Sequence, residues 1–220
     1  MTVWLPTWQQ SWAHGPGEVS PGPAYAIEYV VSRNQIARRA PTRVGVMAHI
    51  ITIDSVTPSV DPTAFVAPTA TLSGDVSLGA NASAFYGVSA RGDSDTITVK
   101  EGTNLQDNVV LHADTGFPCT IGERVSVGHS AVVHGATVGN DCLIGMSATI
   151  MNGAVIGENS LVAAGALVLE GTQVPPRSLV AGVPAKVRRE LSDEEVESLK
   201  ENAAHYLVLA AKHREANAAR

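Results

Sequence analysis

Aromatic side chains, cysteines, basic charge and long apolar runs are all scarce in this chain of 220 residues, and each scarcity excludes something. No apolar run approaches the ~18 residues of a membrane span, so no membrane partner is expected. Aromatics are 5% of the chain while hydrophobic residues are 45%, so the core must be made of small and branched side chains. The two cysteines, Cys119 and Cys142, lie far apart and outside any CxxC pattern; they read as buried free thiols. A formal charge of -6 argues against a broad nucleic-acid footprint. The opening stretch MTVWLPTWQQSW has no basic segment followed by an apolar one, so no secretory signal is read and a cytoplasmic protein is expected.

Residues 1–46 differ from the rest. They hold Trp4, Trp8 and Trp12, a PGEVSPGP turn cluster and the arginine-bearing SRNQIARRAPTR. With no clear period, the segment is expected to be a poorly ordered extension. Its arginines and few acids also suggest a mitochondrial presequence, against which stand scarce serine and the lack of a clean amphipathic helix. Another reading starts translation at Met47, where MAHIITID opens the patterned region.

What the sequence does have is a repeat, and residues 47–190 are read as one domain built on it. Stepping by six gives Ile97, Thr103, Val109, Thr115, Ile121, Val127 and Val133; one step of five reaches Val138; sixes then run through Ile144, Ile150, Ile156, Val162, Val168, Val174 and Val180. Four places after the branched residue stands a small one, as in Cys142, Ala148, Ala154, Ser160 and Ala166. Glycine often follows the branched residue, as in IGER, VGND and IGEN. This is the hexapeptide signature of a parallel β-helix. The fold class is therefore mainly β, with three hexads per coil, the branched residue inside, the small residue at the corner and glycine giving backbone freedom at the turn. Residues 191–220 read as a C-terminal α-helix packed along the prism. Ser192 is its N-cap, with Glu195 completing a capping box. Val196, Leu199, Ala203, Tyr206 or Leu207, and Ala210 share one face. Lys212, His213 and Arg214 suit a helix C-terminus.

Three histidines fall in the repeat. Val109 and Val127 are 18 residues apart and are expected on one face of adjacent coils, so His112, His129 and His134 fall within about one coil of height, spread over two outer faces. One subunit does not readily close a three-ligand site from such positions, whereas a symmetric homotrimer does. Three neutral imidazoles with one open position is the pattern of a catalytic zinc site. The bland alternative makes each of them a surface or interface histidine. His14, His49, His205 and His213 are given no ligand role, and His205 and His213 are expected on helix surfaces.

The stretches RGDSDTITVKEGTNLQDNVVLH, VGHSAVVHG, LIGMSATIMNGAVIGENSLVAAGALV and AGVPAKVRREL resemble the γ-class carbonic anhydrase family, from about residue 53 to the C-terminal helix. The resemblance implies a left-handed β-helix homotrimer with metal sites at the subunit interfaces. It implies His112 and His134 as ligands from one chain and His129 from the next. Arg91 and Asp93 match the family's RGD pair, expected to form an ion pair across the interface. Asn104, Gln106 and Asp107 match polar positions near the metal, with Gln106 set to hydrogen-bond bound solvent or bicarbonate. Tyr206 matches a family tyrosine near the site. The implied cofactor is Zn2+, with Fe2+ or Co2+ as alternatives. The implied reaction is reversible hydration of CO2 to bicarbonate by a metal-bound hydroxide. Zinc lowers the pKa of bound water to about 7, a value established on carbonic anhydrase itself. Asp107 is alternatively a residue that orients a ligand histidine.

The sequence also departs from the family. The archetypal member carries an acidic loop with a proton-shuttling glutamate after the first ligand, whereas only ADTGFPCTIGERVSV separates His112 from His129. A second family glutamate is replaced by Ser94. The chain resembles the shorter subclass, some of whose members look like carbonic anhydrases without detectable activity. Proton transfer would then use Asp95, Asp114, buffer or another route. Two other functions compete: a hexapeptide-repeat acyltransferase or thioesterase, and a metal-stabilised trimeric structural subunit with little activity.

Overall fold

The computed structural model describes residues 48–219; the 1–46 extension read from the sequence lies outside them. Short strands wind into a left-handed parallel β-helix closed by one C-terminal helix. One face of the prism stacks seven coils, from Phe65–Val66 through Asn104–Leu105 and Ser126–Val127 to Ser178–Gly182. Strands of two or three residues cannot stand alone. They persist because each coil bonds to the next, as where Leu143 N–H donates to Ser160 O at 3.0 Å and Gly145 N–H to Val162 O at 2.7 Å.

The branched residues form continuous ladders inside. On one face Leu72, Ala90, Leu111, Val133, Ile150 and Val168 are in register and all are buried. Each buried Leu, Ile or Val contributes roughly 1.5–3 kcal/mol relative to exposure. The small residues Cys142, Ala148, Ala154, Ser160 and Ala166 are buried at the corners. Of the residues counted by sixes, those from Ile121 to Val180 occupy the interior strand positions.

Upstream the count is displaced. Val127 is in register with Leu105, not Val109, and Val133 with Leu111. The interior strand residues there are Val99, Leu105 and Leu111, whereas Ile97 pairs with Cys119 at a corner. Thr115 is exposed, in a small loop where Asp114 and Phe117 form an antiparallel bridge. That loop lengthens one coil, so His112 and His134 stand in register on the same face of adjacent strands, Val110–His112 and Val132–His134. The expectation that His112 shares its face with His129 is corrected accordingly: His129 lies in the turn before Val132–His134.

Glycine's part is also different from that expected. Gly145 has no left-handed φ, yet a Cβ there would sit 2.4 Å from Ala164 N on the next coil. Such glycines allow close stacking. Left-handed backbone falls instead at turn positions such as Asp141, Ser147, Gly153, Asn159, Gly165, Gly171 and Arg177.

After the last coil, Ser178–Gly182 pairs antiparallel with Ala185–Glu190. The helix Asp193–Ala218 follows, with the Ser192–Glu195 capping box formed. Val196, Leu199, Ala203 and Ala210 are buried, Tyr206 is half-buried and Leu207 is exposed. The helix packs on Phe65–Val66, Asn104–Leu105 and Ser126–Val127. It runs past Lys212, His213 and Arg214 to Ala218 and has no basic residue in its last turn. His213 is half-buried: its ring lies 5.5 Å from Phe85 and from Tyr86, and its Nδ1 is 2.9 Å from the Tyr86 hydroxyl. A flat apolar neighbourhood and one hydroxyl partner make it an anchor for the helix end. No helix among the described residues is long and apolar enough to cross a membrane.

Candidate metal centre

The register explains how two of the histidines meet. Leu111 and Val133 point inward and are fully buried, so the next residue on each strand, His112 and His134, points outward. Adjacent parallel strands are about 4.8 Å apart, and the two ring centroids are 4.7 Å apart with the ring planes tilted by 53°. His112 Nδ1 and His134 Nε2 are 2.8 Å apart.

Their other nitrogens decide the chemistry. His112 Nε2 is 3.1 Å from Asp93 Oδ1. The hydrogen bond from the Arg91 guanidinium, despite a smaller opposing effect of burial, holds the Asp93 carboxyl below its usual range, so it accepts and His112 Nε2–H donates. His134 Nδ1 is 2.8 Å from Asn152 Oδ1, and Asn152 Nδ2–H donates to Asp114 Oδ2 at 2.9 Å. That carboxylate fixes the amide's orientation, so Asn152 Oδ1 accepts from His134 Nδ1–H. Both outward nitrogens are thus donors, and in the neutral rings both inward nitrogens present lone pairs. Two lone pairs 2.8 Å apart repel unless a proton or a cation lies between them. Asp114 Oδ1 stands 3.8 Å from His112 Nδ1 and 3.9 Å from His134 Nε2. His112, Asp114 and His134 are the group of potential metal-ligand side chains that converges among the described residues.

His129 is not in that group. Its Nδ1 lies 3.0 Å from Asp107 Oδ2, and its ring is half exposed. Asp107 Oδ1 accepts from the Tyr86 backbone N–H at 3.2 Å. Nearby on the same corner, Gln106 Nε2–H donates to Asn104 Oδ1 at 3.2 Å, and Asn104 Nδ2–H donates to Ser126 Oγ at 2.9 Å. Asn104 and Gln106 are both buried although they flank the inward Leu105, because the helix covers their strand. Tyr206 reaches this corner from the helix, packed edge-on to Phe85 at 5.7 Å. Burial, and then the negative charge of Asp107, raise its phenol pKa. A phenol held neutral is a hydrogen-bond donor.

The residues singled out in the sequence therefore divide into two groups on one chain. Arg91, Asp93, His112 and His134 form one; Asn104, Gln106, Asp107, His129 and Tyr206 form the other. The Arg91–Asp93 pair, expected across an interface, closes within the chain at 2.5 Å. Asn152 was missed from the sequence; its only signal is that it follows His134 by 18 residues, one coil.

Models of hexapeptide repeats match parts of the chain: "Bacterial transferase hexapeptide (six repeats)" over residues 135–170 and "Hexapeptide repeat of succinyl-transferase" over residues 118–146. The Arabidopsis thaliana protein named Gamma carbonic anhydrase 2, mitochondrial, is 38% identical over 213 residues, covering 94% of this chain and 74% of its own. A Methanocaldococcus jannaschii protein named "Probable carbonic anhydrase" is 51% identical over 144 residues, covering 66% of this chain and 91% of its own. Among solved structures, a hexapeptide transferase family protein from Anaplasma phagocytophilum superposes with a TM-score of 0.72 at 43% identity, covering 74% of this chain and 97% of that one. With its hexapeptide coils and this level of identity over most of two named relatives, the chain belongs to the γ-class carbonic anhydrase family.

Proposed function

We propose that the protein catalyses reversible hydration of CO2 to bicarbonate at a divalent metal shared between subunits of a homotrimer. The observation that carries this reading is the 2.8 Å approach of His112 Nδ1 to His134 Nε2, with each ring hydrogen-bonded on its far side. The donor set fits a borderline cation such as Zn2+, Fe2+ or Co2+. In this reading His112 and His134 of one chain and His129 of a neighbour hold the metal. When bound, the metal acts as a Lewis acid that makes water a nucleophile at neutral pH.

The chain's own residues have separable tasks. Asp93 accepts from His112 and so fixes which nitrogen that ring offers, while Arg91 holds Asp93; Asp107 faces His129 Nδ1 at 3.0 Å and favours a proton there. Gln106, set by Asn104, can donate to an oxygen of CO2 or bicarbonate as negative charge develops there. The neutral Tyr206 phenol donates from the same side. The division of these residues into two groups supports a shared site, because a second copy is what brings a His129 group against a His112–His134 group. We read the enzyme as cytoplasmic, which cell fractionation checks.

The test is metal analysis and stopped-flow CO2 hydration on one preparation purified without air or added metal. The expected result is about one ion per chain and a rate lost in His129→Ala. An oligomer that never takes up a divalent ion defeats the proposal. A second reading, acyl transfer on the same scaffold, draws on the transferase likeness of the Anaplasma structure. It predicts coenzyme A-dependent activity that survives metal removal.

A further inference from the structure

One amide faces two potential metal donors at once. Asn152 Oδ1 accepts from His134 Nδ1–H at 2.8 Å, and Asn152 Nδ2–H donates to Asp114 Oδ2 at 2.9 Å. Each bond engages the far side of its partner. The near side of His134 is Nε2 and the near side of Asp114 is Oδ1, and both turn toward His112 Nδ1. Asp114 belongs to the small loop bridged to Phe117, and the Phe117 side chain lies against Gly135 and Gly153; a Cβ at Gly135 would sit 2.8 Å from Phe117 Cβ. The carboxylate is half exposed, so Oδ1 is reachable by solvent and ions. The amide is thus a rigid spacer between a histidine and a carboxylate on consecutive coils.

We propose that Asp114 is a third metal donor from the same chain, oriented by Asn152, so that His112, Asp114 and His134 form a two-histidine, one-carboxylate half-site before any neighbour contributes. This rests on the metal reading given above and adds to it a ligand. With His129 of a neighbour, the donor count rises to four, leaving room for solvent only in a five- or six-coordinate shell. Asn152 is a positioning residue: it touches the ligands and not the metal.

Cobalt is the probe, because its visible bands are weak in five- or six-coordinate sites and intense in tetrahedral ones. Full-length protein is stripped of metal and titrated with Co2+. Wild type is expected to take up about one ion per chain with weak bands. Asp114→Asn is expected to shift the spectrum to the tetrahedral form and weaken affinity. Asn152→Ala is expected to weaken Co2+ binding by about 10–100-fold, the usual effect of losing a partner of a ligand. His129→Ala is expected to retain Co2+ that His129→Ala/Asp114→Asn no longer holds. Circular dichroism of each variant confirms the fold, since these groups lie on the outer surface. An unchanged spectrum and affinity in Asp114→Asn overturns the role of Asp114 while leaving the three-histidine reading intact. Failure of wild type to bind Co2+ overturns both.

Discussion

Asp107→Asn tests the site's logic with almost no change in shape. Asp107 Oδ1 accepts from the Tyr86 backbone N–H at 3.2 Å, and Oδ2 faces His129 Nδ1 at 3.0 Å. An asparagine here has one oxygen and one NH2. The Tyr86 N–H can only donate, so the oxygen must turn to it. That leaves the NH2 facing His129 Nδ1. The ring answers by accepting at Nδ1 and carrying its proton on Nε2, the nitrogen it would offer to a metal. A ligand in the wrong tautomer must change it before binding.

Loss of such a partner costs about 10–100-fold in metal affinity or activity, equivalent to roughly 1.4–2.7 kcal/mol. Stability should hardly move, because the side chain is partly exposed and the Tyr86 bond survives. The assay is competition for Zn2+ against a chelator, paired with thermal unfolding of the metal-free protein. Weaker metal binding with an unchanged unfolding temperature is expected. Wild-type affinity in Asp107→Asn would refute the argument, because the tautomer of His129 would then be of no consequence.

Three further outcomes follow from the fold. Burial pushes the Cys119 and Cys142 thiols up to about 12, so neither should react with a thiol reagent at pH 8 until the protein is denatured, as a colorimetric titration reads directly. The Arg189 guanidinium, followed by the Ser192 backbone N–H, holds Glu195 down to about 2. Because the folded value is depressed, its stabilising effect is complete above the ordinary carboxylate range and lost as the pH falls through about 2; Arg189→Ala should raise the Glu195 value, measured by NMR titration, and move that loss to higher pH. Gly145→Ala should destabilise by about 1–3 kcal/mol in chemical denaturation, because a methyl 2.4 Å from Ala164 N forces two coils apart.

The repeat was legible because its physics is local: a coil buries one branched residue per face, and the sequence spells this out from Ile121 to Val180. The error upstream has a specific cause. The true interior series ends at Leu111 and resumes at Ile121, ten residues on instead of six. Counting back by six from Ile121 therefore lands in the loop at Thr115 and then two residues early, on Val109, Thr103 and Ile97. Of these, Val109, Thr103 and Ile97 are fully buried at corners that elsewhere hold Ala, Ser or Cys. A β-branched residue satisfies either position, so the hydrophobic pattern gives no warning of the slip. The two residues of displacement were enough to assign His112 to the wrong neighbour.

The histidines could be picked out by residue type, but their partners could not. Asn152 sits in MNGA, in a turn of the kind that also holds Asn140 and Asn159, so composition does not mark it. What marks it is vertical neighbourhood: His134 and Asn152 are one coil apart, and so are stacked. His112 and His134 are separated by 22 residues because the loop at Asp114–Phe117 intervenes, so the same rule would have failed for them. Vertical distance in a β-helix is readable only once every insertion has been located. The loop that spoiled the count also supplies Asp114, a carboxylate beside both imidazoles. An insertion at a prism corner leaves the ladders beneath it intact, since Leu111 and Val133 remain in register and buried. Corners are therefore where this fold can acquire new donors at little cost to its core, and where a search for metal preference among its relatives should begin.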